Sequence, residues 1–305
     1  MTRYGSAVSM RQALEARLRD QADTSGTDLG RLRRRVLFER VMARLSALRP
    51  GRWVLKGGAA MEFRLLDRAR STKDLDLAIR SGDLDGDTLR EELIETLGPD
   101  LDGDNFVFRV APPSGLQSDG AGRPAYRFGV EARLAGKQFA AFRLDAVLRP
   151  EEIAETHQIR LPGALSFAEV PVRSVEAVHP RQHFAEKLHA LTKSYGDRPN
   201  TRVKDLVDLV LLIEAGLVPG GELVEVCRHV FTVRDEHDLP GEIVAPPPRW
   251  EEEYPVLARG LTAAPADLAV ALTIVRDFWR RSVAAYEEGS AGGAESPPRG
   301  SGHVA

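Results

Sequence analysis

Apolar residues recur every three or four positions through residues 6 to 49. In "RLRRRVLFERVMARLSAL" Leu32, Val36, Phe38, Val41, Leu45 and Leu48 fall near one stripe, a pattern that predicts helix. "RWVLKGG" then predicts a short strand running into a glycine pair, followed by a helix over "AAMEFRLLDR". In "KDLDLAI" the period changes to two, so Leu75, Leu77 and Ile79 share one strand face while Asp74 and Asp76 share the other. "SGDLDGD" is expected as a loop, and "TLREELIETL" as a helix with Thr88 and Glu91 spaced as a capping box. Alternation returns in "NFVFRVA", "AYRFGVEARLA" and "KQFAAFRLDAVL", broken by a Gly/Pro/Ser loop at 112 to 124. Residues 150 to 178 are irregular or short-stranded. From His179 the helical period resumes through "HPRQHFAEKLHALTKSY", a turn at Gly196 and Pro199, and "TRVKDLVDLVLLIEAG". A proline-rich link, "HDLPGEIVAPPPRW", precedes a last helix ending in "DLAVALTIVRDFWRRSVAAYEE". No internal repeat is found. The pattern predicts an α/β domain over 1–175, a helical domain over 176–288, and a disordered Gly/Ser/Pro-rich tail over 289–305.

With 305 residues, 43% hydrophobic and 29% charged, the composition is that of a soluble globular protein. The longest apolar run, "LVDLVLLI", is short and interrupted by Asp208, and the N-terminus lacks an apolar signal core. The single cysteine, Cys227, excludes an intramolecular disulfide framework and a multi-cysteine zinc site. A cytoplasmic, non-membrane protein is expected. A net charge of −3 conceals two basic stretches. One runs from Arg31 through Arg33, Arg34, Arg35, Arg40, Arg44, Arg49 and Arg52 to Lys56, opposed only by Glu39; the other holds Arg181, Lys187, Lys193, Arg198, Arg202 and Lys204. A solvated helix face and a polyanion-binding surface are both open to them, with Arg33, Arg34 and Arg35 the candidates for RNA contact.

Candidate chemistry begins with Asp74 and Asp76. Two carboxylates on one strand face either lie in water or grip a divalent cation through hard oxygen ligands. Asp145 falls on the strand face that carries Arg143, opposite Phe142 and Leu144, so it can join them across adjacent strands. Three converging carboxylates suit a two-metal phosphoryl-transfer site, whereas a salt-bridged Asp at a strand end is the alternative. Gly57 and Gly58 at a strand-to-helix turn can present backbone N–H groups to phosphate, or serve geometry alone; they form neither a Walker A loop nor a dinucleotide fingerprint. Asp83, Asp85 and Asp87 imitate a calcium loop, but Thr88 stands where that loop requires glycine. In the helical pair, the buried stripes leave Lys187 on one flank and Lys204, Asp205 and Asp208 on another, so Lys187 can meet either acid, unless these side chains form only a surface network. His179 and His183, four residues apart, are a weak candidate metal pair.

"VLKGGAAMEFRLLDRARSTKDLDLAI", "HFAEKLHALTK" and "VKDLVDLVLLI", in that order, resemble the AbiEii/AbiGii toxin family of nucleotidyltransferases, distant relatives of polymerase-β-like enzymes. "APPPRWEEEYPVLA" is similar to that family's C-terminal part, so the resemblance runs over roughly residues 30 to 280. It implies an α+β fold, with a polymerase-β-like core of mixed sheet and flanking helices followed by a helical domain. Carried over, it makes Asp74, Asp76 and Asp145 the Mg²⁺ ligands, with Asp145 also helping to activate the acceptor hydroxyl. Lys56, Gly57, Gly58, Thr72, Lys187 and Asp208 would meet the nucleoside triphosphate, and Asp205 would orient Lys187. Ala59 departs from the Ser or Thr usual after the glycines. The implied activity is transfer of a nucleotide from an NTP to a hydroxyl, on RNA and in particular the tRNA 3′ end, by a toxin restrained by a separate antitoxin. The alternatives are a small-molecule or protein acceptor, and a non-catalytic NTP-binding regulator.

Overall fold

The computed structural model describes residues 4–80, 85–115, 124–148, 150–218 and 222–292. Part of the expected loop "SGDLDGD", including Asp83, most of the 112 to 124 loop, and the tail from residue 293 lie outside them.

The N-terminal helical stretch is two helices, α1 (Ala7–Ser25) and α2 (Leu29–Leu48). Gly26 ends the first in the left-handed region at φ 69°, and Asp28 caps the second by accepting from the Arg31 N–H at 2.8 Å. α2 is buried on nearly every side, not on a single stripe. Its Arg40 and Arg44 are almost fully enclosed and both reach Asp104, at 2.6 Å each. Part of the first basic stretch is therefore core, because paired guanidinium groups can be buried where lone charges cannot.

The strands are β1 (Trp53–Lys56), β2 (Asp74–Ile79), β3 (Phe106–Val110), β4 (Ser114–Gly115), β5 (Ala125–Leu134), β6 (Lys137–Leu148), β7 (Thr156–Arg160) and β8 (Ser174–Val178). They form one mixed sheet in the order β3-β5-β6-β2-β1-β8-β7, with β4 added to β5. β2 runs antiparallel to β1 and parallel to β6. α3 (Gly57–Leu65) follows β1, and α4 (Gly86–Leu97) follows β2. The expected capping box at Thr88 is replaced by an earlier start, because the Asp85 carboxylate accepts from the N–H groups of Asp87 and Thr88 at 2.9 and 2.8 Å.

Leu75, Leu77 and Ile79 face a core shared with α1, α2 and α4, as their alternation requires. A second core belongs to α5 (Pro180–Thr192), α6 (Val203–Glu214), α7 (Leu223–Arg234), α8 (Trp250–Ala258) and α9 (Leu268–Gly292), joined by Met61 and Ala69. β8 pairs with β1 and β7, so the sheet continues to Val178, slightly past the expected division at 175, and α9 continues past Glu288 to Gly292. Among the described residues no helix is long and apolar enough to cross a membrane.

Candidate active site

The sheet register builds a row of charge. Lys56 on β1 is opposite Asp76 on β2, Asp76 is opposite Asp145 on β6, and Asp145 is opposite Arg127 on β5. Paired residues on neighbouring strands present side chains to the same face, so four strands line up a cation, two carboxylates and a cation. One step along, Asp74 is opposite Arg143.

Two of the three carboxylates are held by arginine. Arg127 grips Asp145 at 2.7 and 2.6 Å, and Arg143 grips Asp74 at 2.5 and 3.2 Å, each with two parallel N–H···O bonds. The half-buried Asp76 carboxylate instead accepts from the Gly58 N–H at 3.3 Å. Burial pushes its pKa up to about 6, against the opposing pull of Lys187, while Asp145 and Asp74 raise it further.

The glycine pair is required by this approach. Gly57 has φ 60°, and a Cβ there would sit 1.9 Å from Asp76 Oδ2. A Cβ on Gly58 would sit 2.9 Å from Thr72 Cβ. The start of α3 therefore receives the Asp76 carboxylate, a favourable end of the helix dipole for negative charge. Ala59 is fully buried in the sheet-side core. Thr72 turns its hydroxyl back on its own turn, donating to the Asp74 carbonyl and accepting from the Asp74 N–H at 3.2 and 3.3 Å.

From the helical domain, Lys187 on α5 stands between two α6 carboxylates, 2.7 Å from Asp205 Oδ1 and 2.9 Å from Asp208 Oδ2. Together they hold its pKa above the ordinary lysine value although burial alone would lower it. Asp208 is also gripped by Arg70 at 2.9 and 3.0 Å. Burial would raise the Asp208 pKa, but Lys187 and Arg70 hold it below the usual carboxylate range. Arg70 lies in the segment entering β2, so this buried cluster ties the carboxylate strand to the helical domain. Asp208 is thus engaged in a buried cluster and not in a surface network.

Of the remaining candidates, Lys56 directs its ammonium to Glu186 at 3.1 Å and Glu152 at 3.7 Å. Arg33 meets Glu15 at 2.6 Å, Arg34 donates to the Thr72 carbonyl at 3.3 Å, and Arg35 meets Asp67 at 3.0 Å. The three arginines diverge to different partners and do not form one open cationic face. His179 caps α5 by accepting from the Arg181 N–H at 3.3 Å, while His183 turns its Nδ1 to Arg64 at 3.0 Å, so the two do not pair on a metal. Arg70, Arg127 and Arg143 are the functional candidates missed in the sequence. Strand alternation already places Arg143 beside Asp145 on one face, and the same test on "AYRFGVEARLA" offers Arg127 for an adjacent strand.

The donor set fits a hard divalent cation, being carboxylate oxygens alone on one sheet face, with Asp145 and Asp74 adding their repulsion to the burial that raises the Asp76 pKa. Among the described residues no three His, Cys, Asp or Glu side chains are gathered as a metal cluster. Both oxygens of Asp74 and of Asp145 are engaged by the bidentate arginine pairs.

A family match over most of the chain makes it a nucleotidyltransferase. More narrowly, the chain belongs to the AbiEii family, described as the nucleotidyl transferase AbiEii toxin of a type IV toxin-antitoxin system, whose profile matches residues 40–289. The fold is similar to that of MenT4, a nucleotidyltransferase toxin from Mycobacterium tuberculosis H37Rv, at 17% identity and TM-score 0.55 over 88% of this chain and 89% of that one. JHP933 from Helicobacter pylori is matched at 14% identity and TM-score 0.48 over 87% and 96%. No curated protein matches the chain.

Proposed function

We propose that this nucleotidyltransferase uses Mg²⁺ to transfer a nucleotide from an NTP to a hydroxyl of RNA, with the tRNA 3′ end the leading acceptor. The observation that carries the reading is the alignment of Asp76 with Asp145, beside Asp74 and opposite Lys187. Asp76, Asp145 and Asp74 would hold the metal, which when bound neutralises phosphate charge as it develops. Lys187 binds the triphosphate as a compact cation whose direction Asp205 and Asp208 fix. The first turn of α3, whose Gly58 N–H now meets Asp76, would offer its backbone N–H groups and the helix dipole to the same phosphates. The acceptor oxygen bonds to the α-phosphorus as the bond to the leaving oxygen breaks, and pyrophosphate departs. Asp145 orients the acceptor hydroxyl and draws its proton. Arg127 and Arg143 aim the Asp145 and Asp74 carboxylates along the row, and would yield them to a bound metal. Catalysis rests on positioning and electrostatics.

As a toxin of a type IV system, the protein has a separately encoded antitoxin as its partner. Induced expression is expected to arrest growth, and Asp76→Asn, folded and at equal level, to relieve the arrest. Continued arrest by a variant that releases no pyrophosphate from any NTP would place the toxicity in binding instead.

A further inference from the structure

The second basic stretch remains outside the site just described. Past Lys187, α5 continues one turn to Leu191, which lies on the same helix face and lines a cleft of about 480 Å³. Its walls are the tip of the α5–α6 hairpin, including Lys193, Tyr195, Arg198 and Asn200, and the proline-rich link with Pro247 and Trp250. The walls are tied together: Trp250 Nε1 and Arg249 Nη2 both donate to the Asn200 carbonyl, at 3.1 and 2.8 Å. Tyr195 is fixed through its hydroxyl, which donates to the Ala190 carbonyl and accepts from Arg202 Nε at 3.0 Å each. Lys193 and Arg202 each stand 5.8 Å from the centre of its ring.

Between 193 and 204 the chain carries Lys193, Arg198, Arg202 and Lys204 against Asp197 alone. Glu236 pairs with Lys193, and Asp205 lies 4.0 Å from Arg202. Arg198 is exposed and makes no ion pair among the described residues. A fixed aromatic ring among cations, on a concave wall that begins one helical turn beyond the triphosphate lysine, is the arrangement that stacks a base and follows a phosphate backbone.

We infer that this cleft receives an unpaired nucleotide of the acceptor RNA, with a base against Tyr195 and phosphates along Arg198 and Arg202. The inference rests on the proposed RNA acceptor. The cleft's size suits a single nucleotide.

The test uses the full chain, a fluorescein-labelled single-stranded RNA of mixed sequence, and transfer of labelled nucleotide to total RNA. Tyr195→Ala is expected to weaken RNA binding about five- to a hundredfold, and Tyr195→Phe to keep most of it, since the ring remains. Arg198→Glu, at an exposed position, is expected to lower the salt slope by about 0.7 for each phosphate that the side chain no longer neutralises. Arg19→Glu on α1 serves as the distant control, and NTP binding on each preparation reports an intact nucleotide site. RNA binding and labelling undiminished in both Tyr195→Ala and Arg198→Glu would overturn the cleft assignment alone. Wild-type protein that binds NTP but labels no RNA would overturn the acceptor reading and the cleft with it. Loss of inhibition by a co-expressed protein partner, with RNA binding unchanged, would give the surface to protein and overturn the inference.

Discussion

Asp76 and Asp145 stand directly opposite one another across the parallel strands β2 and β6. Two carboxylates in register on one sheet face repel, and no packing need of the fold calls for them. Their compensation comes from both ends of the row, Arg127 on Asp145 and the charges of Lys187 and Lys56 on Asp76. A site that concentrates negative charge and then balances it with removable cations is suited to receiving a metal-bound polyphosphate.

The Asp76 charge should be a burden on stability. Its pKa rises from 3.8 to about 6 on folding, so the folded state holds its proton more tightly than the unfolded chain. Protonation therefore favours the fold below about pH 4, and this contribution is lost as pH rises through 6. In chelator at pH 7.5, Asp76→Asn should be more stable than wild type by on the order of 2 kcal/mol, with the gap closing toward pH 4. Melting temperatures across that range check it. A variant less stable at pH 7.5 would remove the strained carboxylate.

Arg127 should compete with the metal. Arg127→Ala frees both oxygens of Asp145, so Mn²⁺ affinity in the absence of NTP should increase, about tenfold for the loss of one charge-assisted bidentate pair. Paramagnetic titration reads the affinity directly. Unchanged affinity would mean that Asp145 is no metal ligand.

Fold stability is expected to depend more on Asp208 than on Asp205, although Asp205 is the nearer partner of Lys187. Asp208→Asn leaves Lys187 and Arg70 facing one another without the buried charge that separates them, and should cost about 3–5 kcal/mol. Asp205→Asn leaves that partner in place and should lose NTP affinity with a smaller fall in melting temperature. Lys187→Ala should lower NTP affinity and transfer together. Once it is present, Asp205→Asn should add little, because residues acting as a unit are not additive. Additive losses would separate the two.

The strand alternation around Asp74, Asp76 and Asp145 and the hairpin carrying Lys187 were legible in the sequence, because period and short connections fix faces and neighbours. The register that sets Asp76 against Asp145, and not against Arg143, was not. It arises from the parallel pairing of β2 with a strand far along the chain, which no local pattern encodes. Arg33, Arg34 and Arg35 show the opposite limit. A basic run looks like an open surface until its partners Glu15, Thr72 and Asp67 arrive from other elements. Thr88 lost its capping role to Asp85 through a shift in helix start, the least determined feature of any helical pattern.

Asp104 should be among the most sensitive structural positions. Two buried arginines of α2 rest on it, so Asp104→Ala strands both charges and should destabilise by about 3–5 kcal/mol or prevent folding. Replacing Arg40 and Arg44 with Met together with Asp104→Leu should recover much of the loss, and comparing soluble yield and melting temperature of the two variants checks it.

The most direct measurement incubates the purified chain with Mg²⁺, total RNA and each labelled NTP in turn. The expected result is label in RNA of discrete size with at least one NTP, lost on chelation and in folded Asp76→Asn and Asp145→Asn. Absence of labelled RNA with every NTP, or equal labelling by Asp76→Asn, would contradict the account.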